Sequence, residues 1–184
     1  MSWTNSANGY GWVSIALHWL AAIAVVTMFV LGWNAHEAGE AGDRELRSAI
    51  LGTHVALGVL IFIPLLLRVA LHYMQPQPAP VQQPRPLMLL AFWTQNLLLL
   101  TIVVLLFSGA AARFSTANPV DVFGWFTLPS PFAERDESIH EIGETVHKVA
   151  RWVLLPLVLL HVGGAFKHML VDRDDTMQRM LTPK

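Results

Sequence analysis

Four stretches of the chain, about 12–33, 48–73, 86–112 and 146–171, are each apolar and longer than the roughly 20 residues a helix needs to cross a bilayer. Of the 184 residues, 54% are hydrophobic and 14% charged, so little remains for a soluble core once these segments are set aside. Hydrocarbon offers backbone N–H and C=O groups no partner, which leaves helices as the form such segments take. The expected fold is an all-α membrane protein, a four-transmembrane-helix up-down bundle, with residues 1–184 forming one integral-membrane domain. Membrane lipid is then the first partner. The net charge of −1 gives no footprint for nucleic acid.

Residues 1–35 carry no charged side chain, so the first span lacks the basic start of a secretory signal and is expected to stay in the protein. The connections differ in character. Asn34 to Arg47 is short and polar, and Gln75 to Pro86 (QPQPAPVQQPRP) cannot continue a helix and should lie extended. Arg113 to Thr145 is the longest, and its DVFGWFTLPSPF segment is too aromatic for a solvated linker and should fold back over one mouth of the bundle. The tail after Val171 reads as a short amphipathic return to the membrane surface.

Ionisable groups inside a span are costly and mark function. The fourth span holds two, His147 and His161, fourteen residues apart: close to four turns, hence on one face and separated by roughly 21 Å. His18 lies about two turns into the first span and His54 about two turns into the second. In an up-down bundle His54 then falls near His147, and His18 near His161. Two facing imidazoles can share a hydrogen bond, hold a small metal or clamp a haem. A pair alone is poor for zinc, which takes three or four protein ligands, whereas haem needs only axial nitrogens. Cysteine is absent, which excludes disulfides, thiolate chemistry, iron–sulfur ligation and covalent c-type haem attachment. His140 and His168 share the seven-residue period of the fourth span but lie at its entrance and exit. Gly58, one turn from His54, leaves room for something flat and bulky beside the imidazole, or for a close helix contact. The third span has Thr94, Gln95 and Asn96 as its strongly polar cluster and contributes a wall without a nitrogen ligand.

The segments YGWVSIALHW, His54 with Gly58 and the later Arg68, FGWFTLP, and KHMLVDRDDTMQRMLTP together resemble the prokaryotic cytochrome b561 family, and the resemblance covers nearly the whole chain. It implies two non-covalent b-type haems with bis-histidine iron ligation by His18 with His161 and His54 with His147. It also implies a multi-pass protein of the bacterial inner membrane with both termini cytoplasmic. The charges alone do not settle orientation, since Lys and Arg divide evenly between the two sides. Many relatives carry a histidine in the third span where this chain has Gln95, which bears on quinone contacts rather than on haem ligation.

Members of this family carry electrons between the quinone pool and a donor or acceptor at the outer face, and some resemble superoxide oxidases, with ubiquinone as the acceptor. On that reading the chain is an oxidoreductase, and Lys148 and Arg151, flanking His147, either pair with haem propionates or steer an anionic donor such as superoxide. The competing expectations are a membrane-anchor cytochrome b subunit serving a partner redox subunit, as in a dehydrogenase or hydrogenase complex, and a haem-free transporter or scaffold.

Overall fold

The computed structural model describes residues 2–183 and is all-α in its spanning part. Four helices are long and apolar enough to cross a membrane: α1 (Trp12–Glu40), α2 (Arg44–Met74), α3 (Arg85–Phe114) and α4 (Glu137–Lys167). They follow one another in up-down order, as the apolar pattern requires.

The helices outrun the apolar segments, because hydropathy marks where the membrane begins and not where helical hydrogen bonding stops. The α1–α2 connection shrinks to Ala41–Asp43. Gly42 takes φ of 77°, a left-handed value open to glycine, and Asp43 N–H donates to the Ala38 carbonyl at 2.9 Å, closing α1 with a Schellman cap. Asp43 Oδ1 then accepts the Leu46 N–H at 2.9 Å and starts α2. Helix α4 begins well before its apolar run, where Asp136 Oδ1 accepts the Ile139 N–H at 3.0 Å. Beyond Lys167 it relaxes into a π turn, His168–Asp172, closed by Arg173 in the left-handed region.

Buried positions are mostly small: Ala21, Ala24, Ala35, Ala38, Ala56 and Ala150, with Ser14, Thr94, Thr101 and Ser108. Large side chains such as Ile23, Ile63, Leu100 and Leu159 point outward. This inversion of a water-soluble core follows from the solvent. Lipid tails are as apolar as leucine, so association rests on close backbone approach between small residues.

The chain forms two compact units, and each draws a segment from all four helices. One comprises the chain up to Ala21, Leu65–Val103 and the chain from Trp152, and the other comprises Ala22–Pro64 and Val104–Arg151. In the first, the amino-terminal residues, the proline-rich connector and the tail are tied together. Asn5 N–H donates to Gln75 Oε1 at 2.9 Å, Arg179 donates to the Ala79 carbonyl at 2.8 Å, and the Trp19 indole N–H donates to the Met180 carbonyl at 2.7 Å. The tail is thus pinned by polar contacts, with a single 3-10 turn at Gln178–Met180. In the second unit the aromatic segment is an antiparallel hairpin, β1 (Val120–Val122) with β2 (Phe126–Leu128), in register Val120 to Leu128 and Val122 to Phe126. Through Val120 and Val122 it packs on α2 at Ala56.

Candidate functional site

Each unit holds one histidine pair. In the second, His54 of α2 faces His147 of α4 with ring centroids 6.2 Å apart and planes at 79°. In the first, His18 of α1 faces His161 of α4 at 6.0 Å and 60°.

These separations discriminate among the ways two imidazoles can meet. A direct N–H···N bond of about 2.9 Å would bring the centroids to about 5.2 Å. A metal at about 2.0 Å from each nitrogen would set them about 5.1 Å apart at a tetrahedral angle and about 6.3 Å apart when the rings stand opposite one another. The observed 6.0 and 6.2 Å lie beyond the first two values and close to the third. Two histidines at that separation could hold a group that brings its own remaining ligands, and a tetrapyrrole would meet that demand. The donor set therefore fits haem and does not fit tetrahedral zinc.

The His147 ring is fixed by α3. Its Nδ1 lies 3.1 Å from the Leu105 carbonyl and 3.2 Å from Ser108 Oγ. A carbonyl only accepts, so Nδ1 carries the proton and Nε2 keeps the lone pair that a metal needs. Gly109 lets α3 come this close, since a Cβ there would stand 3.1 Å from both Cε1 and Nδ1 of the ring. On the other side His54 Nδ1 is buried without a hydrogen-bond partner of normal geometry, although the Met28 carbonyl is a backbone acceptor in weak reach. Gly32 of α1 lies against the same ring, a Cβ there falling 3.7 Å from His54 Cε1.

The other expected residues divide. Gly58 faces Met28, whose Cε would sit 3.6 Å from an added Cβ, an ordinary contact between α1 and α2. Arg151, one turn beyond His147, lies within electrostatic reach of both His54 and His147. Lys148 is turned to Glu144, its ammonium 2.8 Å from the carboxylate in an exposed pair. Arg68 acts electrostatically on His18 and His161. It also lines a cavity of about 10 Å³ with Tyr10, Ser14, His72 and Gln77, room for one water. Burial raises the Tyr10 phenol above its ordinary value, and the charges of Arg68 and Arg179 pull it part of the way back. Gln95 is exposed, while its neighbour Asn96 accepts the Tyr73 hydroxyl at 2.9 Å.

Several residues escaped the sequence reading. Leu105, Ser108 and Gly109 orient His147, and the only signal was the small-residue run SGAAA at the end of the third span. An apolar groove of about 530 Å³ is lined by Trp3, Trp12, Val13, Ala16 and Leu17 with Leu67 of α2. At the end of α4, His168 Nδ1 meets Asp174 at 2.7 Å and Asp172 at 3.2 Å, and Lys167 neutralises Asp172 at 2.5 Å. Burial raises the Asp174 carboxyl, but hydrogen bonds from Thr176 and from His168 outweigh it and hold the group below its ordinary value.

Comparison with known proteins agrees with this architecture. The chain is 33% identical over 183 residues to cytochrome b561 homolog 2 of Escherichia coli (strain K12), covering 98% of this chain and 95% of that one. It is 22% identical over 179 residues to cytochrome b561 homolog 1 of the same organism, covering 95% and 97%. A family model described as prokaryotic cytochrome b561 matches residues 9–183. With four spanning helices and a family match over nearly its whole length, this chain belongs to the prokaryotic cytochrome b561 family, membrane proteins that bind b-type haem and transfer electrons.

Proposed function

We propose that the protein is a dihaem cytochrome of the bacterial inner membrane that oxidises a small anionic donor at the outer face and reduces quinone. The observation that carries this reading is the pair of opposed histidine couples, at 6.0 and 6.2 Å. His18 and His161 would hold one haem, and His54 and His147 the other. A b-type haem would supply a one-electron iron couple, and two histidines holding it would favour electron transfer over oxygen binding.

The chain's own residues set up the rest. The Leu105 carbonyl keeps the His147 proton on Nδ1, and close packing of Gly109 and Gly32 against the two rings restricts their rotation. Arg151 provides positive potential beside the outer pair, either for haem carboxylates or for an incoming superoxide. Lys148 contributes little, because Glu144 cancels its charge.

The quinone is assigned to the apolar groove lined by Trp12, Ala16, Leu17 and Leu67, in the same unit as the His18–His161 pair. Volume and lining suit a hydrophobic ring and tail. Stoichiometry closes simply: two superoxide anions each give one electron and leave as dioxygen, while quinone takes two electrons and two protons to become quinol. In this scheme Tyr10 and His72, which line the one-water cavity, would pass those protons. Both termini lie in the cytoplasm in this scheme.

The test is haem stoichiometry. Pyridine haemochrome assay of purified protein should give about two haems b per chain. His54→Ala or His147→Ala should each remove one haem and leave the other spectrally intact. Retention of both haems in either variant would overturn the pairing, and stopped-flow mixing with superoxide and a quinone analogue tests the donor and acceptor separately.

A further inference from the structure

We infer that the β1–β2 hairpin is a membrane-interface anchor, its aromatic tip seated among lipid headgroups outside the four spanning helices.

The hairpin's inner face is fully committed. Val120 and Val122, 2% and 0% exposed, pack on Ala56 of α2 with Val55, Val59, Phe114 and Leu128 around them. Ala56 lies nine residues beyond Arg47, the last charged residue before the apolar part of α2, or roughly 13 Å along the helix axis. The hairpin therefore leans on a stretch of α2 already inside its apolar run, two residues from His54. One turn beyond Ala56 the exposed side chains of α2 are Leu60 and then Ile63, the face any spanning helix offers to lipid.

The outer end carries three exposed aromatics, Phe123 at 43%, Trp125 at 74% and Phe126 at 45%. The turn holds them there at a cost. Phe123 and Gly124 are both left-handed, at φ of 54° and 72°, and only glycine adopts that region freely. Water-facing turns of this kind favour Asn-Gly or Asp-Gly, whereas here Phe takes the first place. Asp121 Oδ2 accepts the Gly124 N–H at 3.0 Å, and the Trp125 N–H donates to the Val122 carbonyl at 3.0 Å, so the strained turn is braced from within.

From Val122 to Ala133 the chain carries no charged side chain, which a docking site for a charged redox partner would be expected to offer. Uncharged Trp and Phe on the exposed end of a hairpin that leans on a spanning helix match the headgroup boundary, where such rings collect. A two-stranded hairpin also keeps unpaired N–H and C=O groups along both outer edges, which hydrocarbon cannot accept and hydrated headgroups can. Those two demands confine it to the interface.

The chain has no cysteine, so single labels can be introduced cleanly. A nitroxide at Trp125→Cys, and separately at Thr127→Cys, which leaves every aromatic in place, would be read by electron paramagnetic resonance in phosphatidylcholine nanodiscs. The measured quantity is relative accessibility to dioxygen and to a water-soluble nickel chelate. Ile63→Cys supplies the lipid reference and Glu134→Cys the aqueous one, with the haem spectrum confirming the fold of each variant. The ratio of dioxygen to nickel accessibility at position 125 should exceed that at 134 several-fold and fall short of that at 63, with 127 also between the references. Ratios at 125 and 127 equal to that at 134 would place the tip in water, overturn the lipid assignment and leave the surface to a protein.

Discussion

Replacing Gly109 by alanine tests whether α3 sets the position of His147. The added Cβ would stand 3.1 Å from Cε1 and Nδ1 of the ring, against an ordinary contact of about 3.5–4.0 Å, so the ring must retreat by about 0.4–0.9 Å. Metal–nitrogen distances tolerate a departure of about 0.2 Å. The retreat therefore exceeds what axial ligation absorbs, unless α3 itself moves and stretches the Leu105 carbonyl bond to Nδ1. Either route weakens the same site, and loss of a partner that orients a ligand typically costs about 10- to 100-fold in affinity. The helix itself gains, since alanine is favoured over glycine by about 1 kcal/mol in a helix interior. Gly109→Ala should thus shed or shift the haem assigned to His54 and His147 while the protein stays helical and the second haem is untouched. Gly52→Ala is the control, because nothing lies within 4 Å of its added Cβ. Redox titration with haem quantification, alongside circular dichroism, reads both effects. Two haems of unchanged potential in Gly109→Ala would refute the argument.

Arg151→Gln should lower the rate of reduction by superoxide by a few-fold at low salt and flatten its dependence on ionic strength, as stopped-flow across a salt series would register. Lys148→Gln should change that rate little, because the exposed Glu144 pair already cancels the lysine and such pairs are worth at most about 1 kcal/mol; equal effects from the two variants would remove Arg151's special role. The Thr176 N–H, which donates to Asp174 Oδ1 at 2.9 Å, gives a pH test of the tail. A depressed carboxyl adds stability above its unfolded pKa, so protection of this amide should hold at neutral pH and disappear only as pH falls through the folded value, which lies below 3.8. Hydrogen exchange corrected for intrinsic rates should follow that course in the parent and show no such step in Asp174→Asn.

The spans were legible in the sequence because lipid imposes a length and an apolar composition that few other environments require. Helix ends were less so. The nine residues of α4 ahead of Val146 are helical, held by the Asp136 cap, and no hydropathy pattern announces them. The pairing of His18 with His161 and of His54 with His147 followed from depth, since a polar ring in an apolar run stands out and up-down order fixes which rings share a level. Lys148 meets Glu144, and the spacing alone offers that pair, since an acid four residues before a lysine on a helix lies on the same face.

The contribution of α3 lay deeper. Its role passes through the Leu105 carbonyl and through the missing side chain of Gly109, and neither carries a chemical label. Every residue has a carbonyl, and a glycine in a span marks any close approach, to a helix, a ligand or nothing. Only the arrangement in space converts these into a fixed tautomer at His147. A span without a single nitrogen ligand thereby governs which ring nitrogen is free to bind, and one methyl group at position 109 is enough to disturb it.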